Sequence, residues 1–133
     1  MDRVDVERRQ IWFRASGIFP DQDPYYVHFC RVNFDGSELT KLTSGDGTYA
    51  YKTSPDGRFA IGIYSRVDLP NVCELRRTSD GSVVLELERA DWSELLKTGW
   101  KIPERFVAKG RETEECRVDG CSISGVHPQG LRI

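Results

Sequence analysis

Two copies of one turn sequence, Asp35-Gly36-Ser37 and Asp80-Gly81-Ser82, stand 45 residues apart in this chain of 133. Glycine adopts positive φ without steric penalty, and aspartate can accept hydrogen bonds from its own turn backbone, so each copy marks a reversal of an extended chain. The flanks agree with that reading. Alternating runs enter and leave the copies, at residues 31–34 and 39–43 around the first and 72–77 and 83–87 around the second. Between them, Ser54-Pro55-Asp56-Gly57 separates residues 48–53 from 58–65, where Phe59, Ile61 and Ile63 fall on one face of a period-two pattern. Three hairpins in succession make an antiparallel β-meander. A spacing of 45 residues is one period of a four-stranded propeller blade, for which repeats of about 40 to 50 residues are expected. The middle hairpin then falls where the next blade opens. The expected fold class is all-β with propeller-type blades, a generic sandwich or barrel being the alternative.

The pattern changes after residue 88. Trp92, Leu95 and Leu96 recur at helical spacing, Asp91 and Glu94 stand near the start and Gly99 just past the end, which predicts one short amphipathic helix within residues 90–98. Residues 99–103 read as a connector and 105–108 as another short strand. The organisation expected is therefore three-part: blades over 1–89, helix and connector over 90–111, and a divergent, poorly ordered tail over 112–133.

Composition narrows the function classes. Nineteen basic and 21 acidic residues are interspersed and give a net charge of −2, so no basic footprint for nucleic acid or anionic lipid is present. No apolar run approaches the roughly 18 residues of a spanning helix, and residues 1–10 hold no apolar core of a signal peptide. Neither a nucleic-acid partner nor a membrane is expected. Cys30 and Cys73 lie in apolar strand-like stretches and read as buried free thiols. Cys116 and Cys121 are too far apart for a C-x-x-C site, with only His28 and His127 to complete a set, so neither a metal nor a cofactor is expected.

A family resemblance rests on longer strings. Asp23-Pro24-Tyr25-Tyr26, the run Val32-Asn33-Phe34-Asp35-Gly36-Ser37-Glu38-Leu39-Thr40-Lys41-Leu42-Thr43, and Ser54-Pro55-Asp56-Gly57-Arg58-Phe59 resemble the last propeller blades of bacterial dipeptidyl peptidase IV-like serine peptidases, in the prolyl oligopeptidase clan. Further on, Tyr64-Ser65-Arg66-Val67-Asp68 with Pro70, the helix over 90–98, Gly99-Trp100 with Pro103-Glu104, and Phe106-Val107-Ala108-Lys109-Gly110-Arg111 resemble that family's passage from propeller to α/β-hydrolase domain. The likeness spans residues 11–111. It implies a propeller above a hydrolase domain that removes N-terminal dipeptides with a Ser, Asp and His triad.

That machinery does not transfer to this chain. A nucleophile elbow reads G-x-S-x-G, whereas Gly120-Cys121-Ser122-Ile123-Ser124-Gly125 is one residue too long and His127 follows too closely. Glu114-Glu115 lies outside the propeller likeness and reads as a solvated charge pair. No catalytic residue is assigned, and no activity is expected of the chain alone. The expectation is a non-catalytic propeller segment that shapes access to a hydrolase domain; the alternative is a stand-alone β-rich interaction module. Tyr25 and Tyr26, in an inter-strand loop, and Arg66, paired with Asp68, are the candidate loop contacts. Trp12, Trp92 and Trp100 read as packing anchors and Arg14 as solvated. The expected partners are the remaining blades and the hydrolase domain, with self-association through uncovered sheet faces. The family is often periplasmic or secreted, which leaves the location of this chain open.

Overall fold

A computed structural model describes residues 1–109 and 115–119. The chain divides into two compact units, Met1–Asp91 and a second one beginning at Trp92. The first contains two four-stranded antiparallel sheets in strict sequence order. Strands β1 (Arg3–Asp5), β2 (Gln10–Ser16), β3 (Val27–Asn33) and β4 (Thr40–Lys41) form one; β5 (Thr48–Thr53), β6 (Phe59–Arg66), β7 (Leu69–Arg77) and β8 (Val83–Arg89) form the other. This is the all-β, blade-like architecture expected from the repeat.

The three predicted reversals lie where the Asp-Gly pairs stand. They join β3 to β4, β5 to β6 and β7 to β8, with Gly36, Gly57 and Gly81 at φ of +83°, +68° and +75°. In each, the aspartate Oδ1 accepts from the backbone two residues on: Ser37 N at 2.9 Å, Arg58 N at 3.1 Å and Ser82 N at 2.9 Å. Serine hydroxyls add a second bond, from Ser37 to Asp35, from Ser54 to Asp56 and from Ser82 to Asp80. These bonds to the charged form hold all three carboxyls below the usual carboxylate range.

The two sheets pack against each other through β3 on one side and alternate residues of β5, β6 and β7 on the other. His28 and Cys30 from the first sheet are buried, as are Tyr49, Ala60, Val72, Glu74 and Arg76 from the second, with Leu42 and Thr43 fully enclosed after β4. Phe29 stacks on Tyr51 with ring centroids 4.9 Å apart, and Tyr49 stacks on Tyr64 at 4.8 Å. Burial pushes the phenols of Tyr49 and Tyr51 up to about 12, with the nearby positive charge of Arg76 opposing it. Arg76 bridges the seam. Its guanidinium donates across it to the Leu42 carbonyl at 3.4 Å, and on its own side pairs with Glu74 (Nη2 to Oε2 2.8 Å) and donates to the Gly81 carbonyl at 2.8 Å and the Tyr49 hydroxyl at 3.1 Å.

The opposite face of the second sheet is open. Ile61 and Ile63, which share a face as the sequence pattern required, point there and stay exposed, whereas Ala60 and Gly62 face the seam. Leu75 and Leu85 stand opposite each other in the β7–β8 register, on the side of Ile61, and Val83, Val84, Leu85 and Leu87 of β8 are all exposed.

In the second unit, α1 (Ser93–Lys97) falls inside the predicted window and carries Glu94 in its first turn and Lys97 in its last. Trp92 and Trp100 meet edge to face at 5.2 Å, as packing anchors would. Strand β9 (Arg105–Lys109) pairs with β10 (Glu115–Asp119), which places a strand within the stretch expected to be an irregular tail. Cys121, Ser122, Ser124 and His127 lie outside the described residues.

Candidate functional site at the loop end

An antiparallel meander sends alternate connections to opposite ends. The β2–β3 loop, the link from β4 to β5 and the β6–β7 turn therefore share one end, where the three candidate contacts lie. The loop end is tied internally: Gln22 Nε2 donates to the Ser44 carbonyl at 3.2 Å, and Val27 N donates to Thr48 Oγ1 at 3.1 Å. Gly45 and Gly47 are required by close approach rather than by φ. A Cβ at Gly45 would stand 2.5 Å from the Tyr49 hydroxyl, and one at Gly47 would stand 2.7 Å from the Ser65 carbonyl oxygen.

The tyrosine pair separates. Asp23 folds the loop by accepting from Tyr25 N at 2.9 Å through its side chain and from Tyr26 N at 3.1 Å through its carbonyl. That turn leaves Tyr25 87% exposed and tucks Tyr26 to 7%. Arg66 pairs with Asp68, as its spacing suggested, and also with Asp46 from the β4–β5 link, which the sequence did not single out. Burial lowers the tendency of this guanidinium to hold its proton, but Asp68, Asp46 and the Tyr26 phenol together outweigh it and raise the pKa. Tyr26 and Arg66 thus belong to one cluster that locks three connections, and Tyr25 alone of the three offers a free aromatic face.

His28, the one histidine among the described residues, is buried with Nδ1 3.3 Å from Thr43 Oγ1. Burial and then the positive charge of Lys41 lower its pKa, so it is neutral at pH 7. Its polar partner is a threonine hydroxyl and its ring neighbours are Phe19 and Tyr49. Cys30 is a buried free thiol pushed up by desolvation, and Cys73 is free and half-buried. Arg14 is exposed on β2 and pairs with Asp2 at 3.0 Å. Trp12 is buried, as a packing anchor. Among the described residues no group of His, Cys, Asp and Glu is placed to hold a metal ion, and no helix is long and apolar enough to cross a membrane.

With two ordered four-stranded meanders in place, the family comparison is decisive. The family model for the dipeptidyl peptidase IV (DPP IV) N-terminal region matches residues 1–71. The chain belongs to this family. The match takes in the first sheet, β5, β6 and the start of β7, so it covers the Asp35 and Asp56 turns and the loop-end cluster. A search of curated proteins finds none that matches the chain. Sheet β5–β8 continues the same up-and-down order to Arg89.

Proposed function

We propose that this chain serves as two consecutive, non-catalytic propeller blades of a DPP IV-like serine exopeptidase and shapes access to its hydrolase domain. The observation that carries the reading is the coincidence of the family match over residues 1–71 with two complete four-stranded meanders in blade order. The loop end suits a mouth: its connections are clamped by Arg66, Asp46 and Asp68, while Tyr25 projects from it. The open face of the second sheet, with Ile61, Ile63, Leu75 and Leu85, is the surface on which a further blade packs; in the isolated chain, a second copy takes that place.

The purified chain should leave a chromogenic Xaa-Pro dipeptide uncleaved, because its sequence has no G-x-S-x-G elbow to expose a nucleophile. The test is to sequence the encoding locus beyond both ends of these 133 residues and assay the product of its full reading frame. An in-frame G-x-S-x-G segment and release of dipeptides are expected. A frame without either, whose product is inert towards Xaa-Pro peptides, would overturn the peptidase reading in favour of a stand-alone interaction module.

A further inference from the structure

At the end of the sheets opposite the loop cluster, the β1–β2, β5–β6 and β7–β8 turns come together around a cleft of about 360 Å³. Arg8, Arg31, Arg58 and Arg77 line it, and no acidic residue does among those described. The chain as a whole is net negative at −2, so four guanidiniums here are a local accumulation and not a reflection of composition.

Their placement is built. Arg31 leaves the first sheet and donates to the carbonyls of Thr78 (3.0 Å) and Ser79 (2.9 Å), which fixes it across the cleft. Arg58 and Arg77 flank a single phenyl ring, with guanidinium carbons 5.6 and 5.9 Å from the centroid of Phe59. Arg8 reaches the rim at Gly57, where a Cβ would lie 3.7 Å from its Nη1. Asp56 and Asp80 act on Arg58 and Arg77 through space, but both already accept the N–H and hydroxyl bonds of their own turns, and Asp5, which accepts the Arg8 backbone N–H at 3.0 Å, is paired with Arg3. Among the described residues, Arg8, Arg58 and Arg77 form no ion pair.

We propose that this cleft binds a small soluble polyanion carrying phosphate groups. Guanidinium forks match phosphate and carboxylate oxygens in pairs. Four of them around 360 Å³ leave most of their charge unmatched by a single carboxylate, and linked phosphoryl groups carry the most negative charge in that space. The volume sits at the small end of ligand sites. Because the cleft and the loop end are at opposite ends of the sheets, the assignment stands or falls independently of the peptidase reading.

Inorganic pyrophosphate is the probe, titrated calorimetrically into the full chain at low ionic strength, with citrate and ionic-strength-matched sodium chloride as parallel arms. One-to-one binding of pyrophosphate that weakens steeply with added salt is expected. Arg58→Gln/Arg77→Gln should weaken it at least about tenfold, whereas Arg14→Gln, on β2 and paired with Asp2, should leave it unchanged. Should the double variant unfold, the arginine Nε–H resonances of the unaltered chain give the same answer: those of Arg58 and Arg77 shift on addition of pyrophosphate. Absence of binding, equal binding by a folded double variant, or binding of citrate as tight as that of pyrophosphate would overturn the proposal.

Discussion

The two Asp-Gly-Ser turns offer a test that carries its own control. Gly36 and Gly81 have nearly the same backbone, φ +83° and +75°, in the same tripeptide. Alanine at either position meets the left-handed penalty, about 1 to 2 kcal/mol. Beyond that the sites diverge. A Cβ at Gly36 meets nothing within 4 Å, whereas one at Gly81 would stand 2.6 Å from the Lys41 carbonyl oxygen and 2.9 Å from Leu42 Cα. Those are backbone atoms of the other sheet, so no side chain can swing aside, and the sheets must separate locally. Overpacking of this kind adds about 1 to 3 kcal/mol. Gly36→Ala should therefore cost roughly 1 to 2 kcal/mol and Gly81→Ala roughly 2 to 5 kcal/mol, the latter a large share of the 5 to 15 kcal/mol typical of a domain. Urea unfolding followed by far-ultraviolet circular dichroism, with unchanged m-values, measures both. Equal costs for the two substitutions would refute the claim that the β7–β8 turn is wedged against the first sheet.

Two further outcomes follow from the seam. Arg76→Ala removes the partner of buried Glu74 and strips a donor from the Gly81 carbonyl and the Tyr49 hydroxyl, so it should destabilise by about 3 to 5 kcal/mol, and Glu74→Leu/Arg76→Met should recover much of that in a double-mutant cycle. His28 has a lowered pKa in the folded chain, so the unfolded chain takes up its proton first as pH falls: stability is full above the ordinary histidine value of about 6.5 and declines below it until the folded pKa is passed. A positive slope of stability against pH over that window, abolished in His28→Asn, is the expected reading by urea unfolding at stepped pH.

What the sequence disclosed was chiefly its reversals. Asp-Gly pairs act through local geometry, and each lies at the turn it announced, while the end signals around Trp92 to Gly99 framed α1. Strand β1 was hidden because Arg3-Val4-Asp5 carries one apolar residue and takes its place only through pairing with β2. Strand β10 was hidden for a similar reason, since Cys116 and Val118 alternate with charges inside a charged stretch. Alternation put Ile61 and Ile63 on one face but could not say which face the other sheet covers; that depends on the small side of β6, Ala60 and Gly62. The polar seam was equally opaque, because Glu74 and Arg76 look like solvated charges until Tyr49 and the Gly81 carbonyl close over them. At the loop end, Arg66 and Asp68 were readable from proximity, Asp46 twenty positions away was not. The four arginines of the turn-end cleft come from four separate stretches of chain, and only the packing of two meanders assembles them.

The central claim is that the 45-residue repeat folds as two successive blade-like sheets packed against each other, and nuclear Overhauser contacts between aromatic rings test it most directly. Phe29 of β3 and Tyr51 of β5 are stacked with centroids 4.9 Å apart, and His28 and Tyr49 lie 5.7 Å apart across the same seam. Strong cross-peaks between the ring protons of Phe29 and Tyr51, accompanied by His28 to Tyr49 contacts, are predicted for the chain in dilute solution. Intact strand pairing within each sheet without either set of contacts would contradict the account, because the sheets would then exist without forming consecutive blades.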